Sequence, residues 1–115
     1  MFVADDDVQG LVGFASGGPE RQSNAEYDGE IYAIYLLEAH QRRGTGRLLA
    51  SALASGLLEA GMNSMLVWVL MDSQFRRFYE ALGGSFVMEQ DIDIGSKTLR
   101  EVAYGWEDIS VLIKA

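Results

Sequence analysis

A chain of 115 residues, 49% hydrophobic and 23% charged, has the size and composition of one globular domain with its own core, and residues 1–115 are read as that domain. The absence of cysteine excludes disulfides, thiolate metal sites and a cysteine-bound covalent intermediate, and no metal is expected. A net charge of −8 argues against nucleic acid, no apolar run nears the roughly 20 residues of a membrane span, and no basic segment opens the chain, so the expectation is a cytoplasmic protein with neither partner.

Met1 to Ala4 reads as a strand, Asp5-Asp6-Asp7 as a turn, and Val8 to Ala15 as the second strand of a hairpin. Ser16-Gly17-Gly18-Pro19 is expected to end it, with a polar loop to Asp28. Glu30 to Leu37 (EIYAIYLL) has the apolar, aromatic and β-branched content of a buried central strand. Leu48, Leu49, Ala52, Leu53, Gly56 and Leu57 then recur at helical spacing, and Gly61 stands where a helix-ending glycine would. Met65 to Leu70 is the next buried strand. Asp72 or Ser73 can cap a second helix whose inward face is Phe75, Phe78, Tyr79 and Leu82, closed by Gly83-Gly84. Phe86 to Ile94 and Thr98 to Trp106 form a hairpin across Gly95-Ser96. The order β-β-β-α-β-α-β-β predicts an α/β (α+β) fold. Its mixed, mostly antiparallel sheet carries helices and has one right-handed parallel crossover in the middle.

Between the central strand and the first helix lies Gln41-Arg42-Arg43-Gly44-Thr45-Gly46, followed by Arg47. A glycine turn opening a helix lets backbone N–H groups that lack intrahelical partners converge, and the helix dipole adds positive charge there. Such a turn suits a phosphate or pyrophosphate. Five of the nine basic residues, Arg42, Arg43, Arg47, Arg76 and Arg77, lie at the starts of the two predicted helices. A Walker loop needs Gly-Lys-Ser/Thr, which is absent, and a dinucleotide fingerprint needs a third glycine where Leu49 stands. The acyl-CoA turn, Gln/Arg-x-x-Gly-x-Gly/Ala, is met at every position by Gln41 to Gly46.

With Arg77-Phe78-Tyr79-Glu80-Ala81-Leu82-Gly83, similar to an FYxxLG segment, the chain from about residue 1 to 108 resembles the GNAT family of acetyl-CoA-dependent N-acetyltransferases. The resemblance implies a GNAT-like fold and transfer of an acetyl group from acetyl-CoA to a primary amine of a small molecule or protein. It departs at Glu38, where members often carry Pro, and at Ser73, where an Asn commonly contacts the pantetheine arm. It also lacks the strand and helices that usually precede the opening hairpin and help wall the acceptor site.

On that resemblance, the backbone from Arg42 to Arg47, with Gln41, Gly44, Thr45 and Gly46, would hold the pyrophosphate. Tyr35 and Leu36 would pair with the pantetheine and polarise the thioester carbonyl, and Ser73 would add a hydroxyl. Without cysteine, direct attack in a ternary complex is expected. Tyr79 is the expected proton donor to the thiolate; by period alone it is also a core aromatic. Glu30, eleven residues before Gln41, stands where some members place a general base, and burial beside Tyr32 would raise its pKa; the alternative is a solvated strand-end charge. His40 is the only histidine and the weaker choice of base. The rival reading is a non-catalytic CoA-binding module with an incomplete acceptor site. Exposed strand edges and apolar faces, left uncovered by the short front end, predict a homodimer.

Overall fold

The computed structural model describes residues 2–6, 10–21, 26–36 and 44–113. In chain order the elements are β1 (Phe2–Asp6), β2 (Gly10–Pro19), β3 (Gly29–Leu36), α1 (Thr45–Glu59), β4 (Met65–Leu70), α2 (Phe75–Ala81), β5 (Ser85–Ile94) and β6 (Lys97–Trp106), closed by a 3₁₀ turn at Ile109–Leu112. The expected element order and mixed sheet are what the chain forms. The strands lie in the order β1-β2-β3-β4-β6-β5, and every neighbouring pair is antiparallel except β3 and β4. No described helix is long and apolar enough to cross a membrane.

Several boundaries differ from the sequence reading. Asp5 and Asp6 are strand residues, paired with Leu11 and Gly10, rather than turn. β2 does not end at Ala15 but runs on to Pro19, with Gly17 opposite Ile31 and Gly18 opposite Glu30. A Cβ on Gly17 would lie 2.7 Å from the Glu30 carbonyl oxygen and 3.1 Å from the Leu53 side chain. That glycine therefore serves a close helix–sheet approach and does not break the strand. Pro19 takes the last strand position, where the ladder does not need its missing N–H. The register steps between Ser16–Ala33 and Gly17–Ile31, which leaves Tyr32 as the extra residue of a bulge in β3.

β3–α1–β4 and β4–α2–β5 cross the sheet in the same direction, so right-handed connections put both helices on one face. The core agrees. Ala15, Ile31, Met65, Val67, Val102, Tyr104 and Trp106 of the sheet form one buried cluster with Leu49, Ala50, Leu53, Ala54 and Leu57 of α1 and Tyr79 of α2. The expected α1 face is rotated, because Leu48 is 72% exposed and Ala50 and Ala54 are buried instead. Leu48 and Leu49 are about 100° apart on a helix, so one face cannot centre on both. The small alanines let the helix sit close to the strands. α1 ends with Gly61 N–H donating to the Leu58 carbonyl and Met62 N–H to that of Leu57, the paired closure that a left-handed Gly61 allows. Ile109 and Leu112 of the closing turn are buried in the same core, and Ile109 N–H donates to the Asn63 carbonyl.

Candidate active site

The start of α1 faces the loop after β4. Gly44, at φ +82°, is the residue before the helix, and Leu48 N–H donates to its carbonyl at 3.0 Å. No side chain caps this terminus among the described residues, and no acidic residue stands in the first turn. Its free N–H groups and dipole therefore remain available to an anion. Gly46 is buried in that first turn and Arg47 is exposed.

A cleft of about 880 Å³ joins this terminus to the rest of the predicted site. Its walls are Gly44, Gly46 and Arg47 from the start of α1, Ile34 from β3, Met71 to Gln74 after β4, and Phe75 to Phe78 with Glu80 from α2. Its size is within the range of small-molecule and cofactor pockets. Ser73 lines the same cleft as Gly44 and Gly46. Its Oγ accepts from Phe75 N–H at 3.0 Å, so of Asp72 and Ser73 it is Ser73 that caps α2. Gln41, Arg42, Arg43 and His40 lie outside the described residues, as does Leu37.

One side-chain arrangement at the cleft was not visible in the sequence. Arg76 donates through Nε to the Tyr104 hydroxyl (3.1 Å) and through Nη1 to the Met71 carbonyl (2.9 Å), and that hydroxyl donates to Glu80 Oε2 at 2.7 Å. Arg76 is therefore a cation held in the wall by these two bonds. No local pattern reports this, because Tyr104 is 28 residues away on β6.

Tyr35 and Leu36 lie at the end of β3, paired with Phe14 and Gly13 of β2. β3 pairs with β4 through Gly29–Ile31 and Met65–Val67 and no further among the described residues. Beyond Ile31 the β4-facing backbone edge of β3 has no ladder partner, which leaves donors and acceptors for a ligand lying between the strands. Tyr35 is half exposed and stacks against Phe14 at 6.0 Å.

Tyr79 is buried, 5% exposed, and packed edge-on against Phe78 (5.3 Å) and Trp106 (6.4 Å). Phe78 lines the cleft and Tyr79 is not among the lining residues. Burial pushes its pKa up to about 12, so the hydroxyl keeps its proton throughout the neutral range. Glu30 is 2% exposed and so is not a solvated strand-end charge. Its Oε1 accepts from Arg21 N–H (3.1 Å) and its Oε2 from Arg21 Nη2 (3.0 Å). The Arg21 guanidinium also lies 3.8 Å above the Tyr32 ring. Glu30 pairs with Gly18 on the sheet face opposite Ile31 and Leu53, so it is not in the cleft wall.

Residues 20–91 match the FR47-like protein family. The chain is 46% identical over 112 residues to YuaI, an uncharacterized N-acetyltransferase of Bacillus subtilis (strain 168), covering 97% of this chain and 65% of that protein. A crystal structure from Desulfovibrio desulfuricans, ascribed to the GNAT acetyltransferases, superposes with a TM-score of 0.73 at 22% identity, covering 94% of this chain and 66% of the other. YncA of Salmonella typhimurium, solved with its cofactor acetyl-CoA, superposes with a TM-score of 0.68 at 22% identity, covering 85% and 58%. The chain thus spans about two thirds of the length of the relatives it matches. The chain therefore belongs to the FR47-like family and carries the GNAT fold.

Proposed function

We propose that this domain is an acetyl-CoA-dependent N-acetyltransferase acting on a primary amine by direct attack. The observation that carries the proposal is the meeting, in one cleft, of the uncapped start of α1 with Ser73 and the Arg76–Arg77 segment. An anionic, elongated ligand fits that surface. Its diphosphate would lie on the N–H groups of Gly44 to Arg47, with Gln41, Arg42 and Arg43 immediately before them in sequence. Its arm would run past Ser73 toward the unpaired edge of β3 at Tyr35 and Leu36. Acetyl-CoA held there would supply a thioester carbonyl, and a backbone N–H of β3 near Tyr35 and Leu36 would be the donor that polarises it. Tyr79 is proposed to return a proton to the thiolate, and its raised pKa keeps that proton in place until it is needed. Glu30 is proposed to act on the acceptor side. The naming of YuaI as an N-acetyltransferase and the acetyl-CoA bound by YncA support the same reading.

The second reading, a CoA-binding module without catalysis, draws on one observation. Both oxygens of Glu30 are engaged by Arg21, so the carboxylate is already occupied within the chain. Two measurements separate the readings. Calorimetry with CoA tests the cleft in both. Thiol release from acetyl-CoA across a panel of primary amines tests transfer, and CoA binding with no amine-dependent thiol release selects the module.

A further inference from the structure

Glu30 presents an asymmetric ion pair. Its side chain is 3% exposed and that of its partner Arg21 is 56% exposed. A buried carboxylate is costly to leave unpaired, so something cationic must stay against it. Here the cation arrives from the surface, on a side chain that can swing back into water.

The contacts divide cleanly between backbone and side chain. Arg21 N–H donates to Oε1, and this bond survives if the side chain leaves. The guanidinium supplies the charge at Oε2 and covers the Tyr32 ring. That ring is fixed independently, because the Tyr32 hydroxyl donates to the Pro19 carbonyl at 2.6 Å. Remove the Arg21 side chain, and a carboxylate oxygen and an aromatic face remain, held by other bonds. A carboxylate beside an aromatic face is the donor set that selects an organic cation.

Its position gives the pair a purpose. Glu30 lies where β3 and β4 are still paired, and Tyr32 is the bulge residue at which that pairing has ended. The subsite therefore lies beside the start of the opening between β3 and β4, on the face opposite α1, with the Tyr32 ring laid back over Gly18 and Pro19 of β2. A reagent seated in the helix-side cleft and an acceptor arriving on the other face would meet across this opening.

We propose that Glu30 and Tyr32 form the cation subsite of the acceptor pocket, taking a protonated primary amine, and that the Arg21 side chain occupies it until the acceptor displaces it. This rests on the amine-acetylation reading above. Arg21 is then a specificity-determining residue. It excludes neutral molecules and weak cations, and admits an amine able to exchange for a guanidinium already in place. The Arg21 guanidinium is held charged, chiefly by its hydrogen bond to Glu30, so the occupant and its rival carry the same charge at neutral pH.

The test uses n-butylammonium chloride as the probe, with 1-butanol and sodium chloride as controls, on the whole chain. In the unaltered protein, NMR of the arginine side chains should show the Arg21 guanidinium signal moving saturably toward that of a free arginine as butylammonium is added. Neither control should move it. By calorimetry, Arg21→Ala should bind butylammonium roughly ten-fold more tightly than the unaltered protein, because no internal cation competes. Adding Glu30→Gln should abolish that binding. Arg21→Gln replaces Arg21→Ala if the alanine variant unfolds, and the NMR arm needs no variant. An Arg21 signal indifferent to saturating butylammonium overturns the proposal, as does equal or weaker binding by the Arg21 variant, or binding that survives Glu30→Gln. CoA affinity measured on the same samples separates the two readings. Loss of CoA binding with amine displacement intact sinks the acetyl-transfer reading alone, whereas intact CoA binding with no displacement sinks this one.

Discussion

Tyr79 tests packing and chemistry with one oxygen atom. Its folded pKa, about 12, stands above the ordinary 10, and burial is the cause. Below pH 10 the hydroxyl is protonated in both folded and unfolded chains, so the shift costs nothing. As pH rises from about 10 toward about 12 only the unfolded chain releases the proton, and stability falls by about 1.4 kcal/mol per unit, about 3 kcal/mol in all. Urea unfolding of the native chain and Tyr79→Phe should therefore diverge across that window, with the phenylalanine variant losing less. Parallel curves would show that the hydroxyl is solvated. As a proton donor, Tyr79 makes a second and separable prediction: Tyr79→Phe should lower kcat roughly 10²-fold while leaving acetyl-CoA affinity alone, because the donated proton matters in the transition state. Turnover at the native rate would leave Tyr79 as a core aromatic and nothing more.

At the scale of elements, α1 shows what periodicity reveals and what it does not. The existence of the helix, its glycine-turn start and its Gly61 end were legible, because each depends on residues close in sequence. Which leucine faces inward was not, since it depends on how near the sheet the helix sits. Leu48→Gln should accordingly change stability by less than about 0.5 kcal/mol, and Leu53→Ala should cost about 2–5 kcal/mol, by denaturant unfolding. Gly17 and Gly18 read as breakers because the sequence does not show Leu53 and the Glu30 backbone closing on Gly17, or the Tyr32 ring closing on Gly18. The Arg21–Glu30 pair was hidden for the same reason, since its nine-residue separation is bridged by a hairpin. The closing 3₁₀ turn did leave a signal. Asp108 accepts from Ser110 N–H at 3.0 Å, and Ile109 and Leu112 follow at a three-residue interval. For the site itself, the glycine turn and Ser73 were legible from motif spacing, and the Arg76–Tyr104–Glu80 wall was not. Gly44 separates backbone from ligand. At φ +82° any side chain is strained, so Gly44→Ala should cost about 1–2 kcal/mol and keep CoA affinity within a few-fold. Gly44→Glu carries the same strain and adds a carboxylate where the diphosphate would lie, so it should abolish CoA binding with the circular dichroism spectrum unchanged. Native affinity in the glutamate variant would refute the cradle.

At the scale of the whole molecule, both helices cover one face, and among the described residues Tyr27 covers part of the other, over Gly105. Cross-strand pairing puts Trp68, Ala103 and Met88 in one row of that face, and Leu70 and Ile94 continue it along β4 and β5. Leu70, Met88 and Ile94 are each 40–53% exposed. Such a row invites a second surface of the same kind. The outer edge of β5 is the less favourable route to self-association. Glu89, Asp91 and Asp93 alternate along it, and two such strands side by side would set like charges near one another, although Arg100 answers Glu89 and Asp91 within the chain. The apolar face carries one acidic group in this row, Glu101, and Gln90 answers it within the chain. A standard interface of about 1,600 Å², a little over half of it apolar, yields gross burial of order 20 kcal/mol at about 25 cal/mol per Å², against an association cost of about 4–15 kcal/mol. The chain is therefore predicted to form a two-fold homodimer through this face. With −8 on each copy, added salt should strengthen the dimer by screening repulsion rather than weaken it. Light scattering coupled to gel filtration at micromolar concentration should report twice the chain mass, and Met88→Lys should halve it. A monomer in the unaltered protein would refute the dimer. A dimer that survives Met88→Lys but dissolves in salt would move the contact to the charged strands.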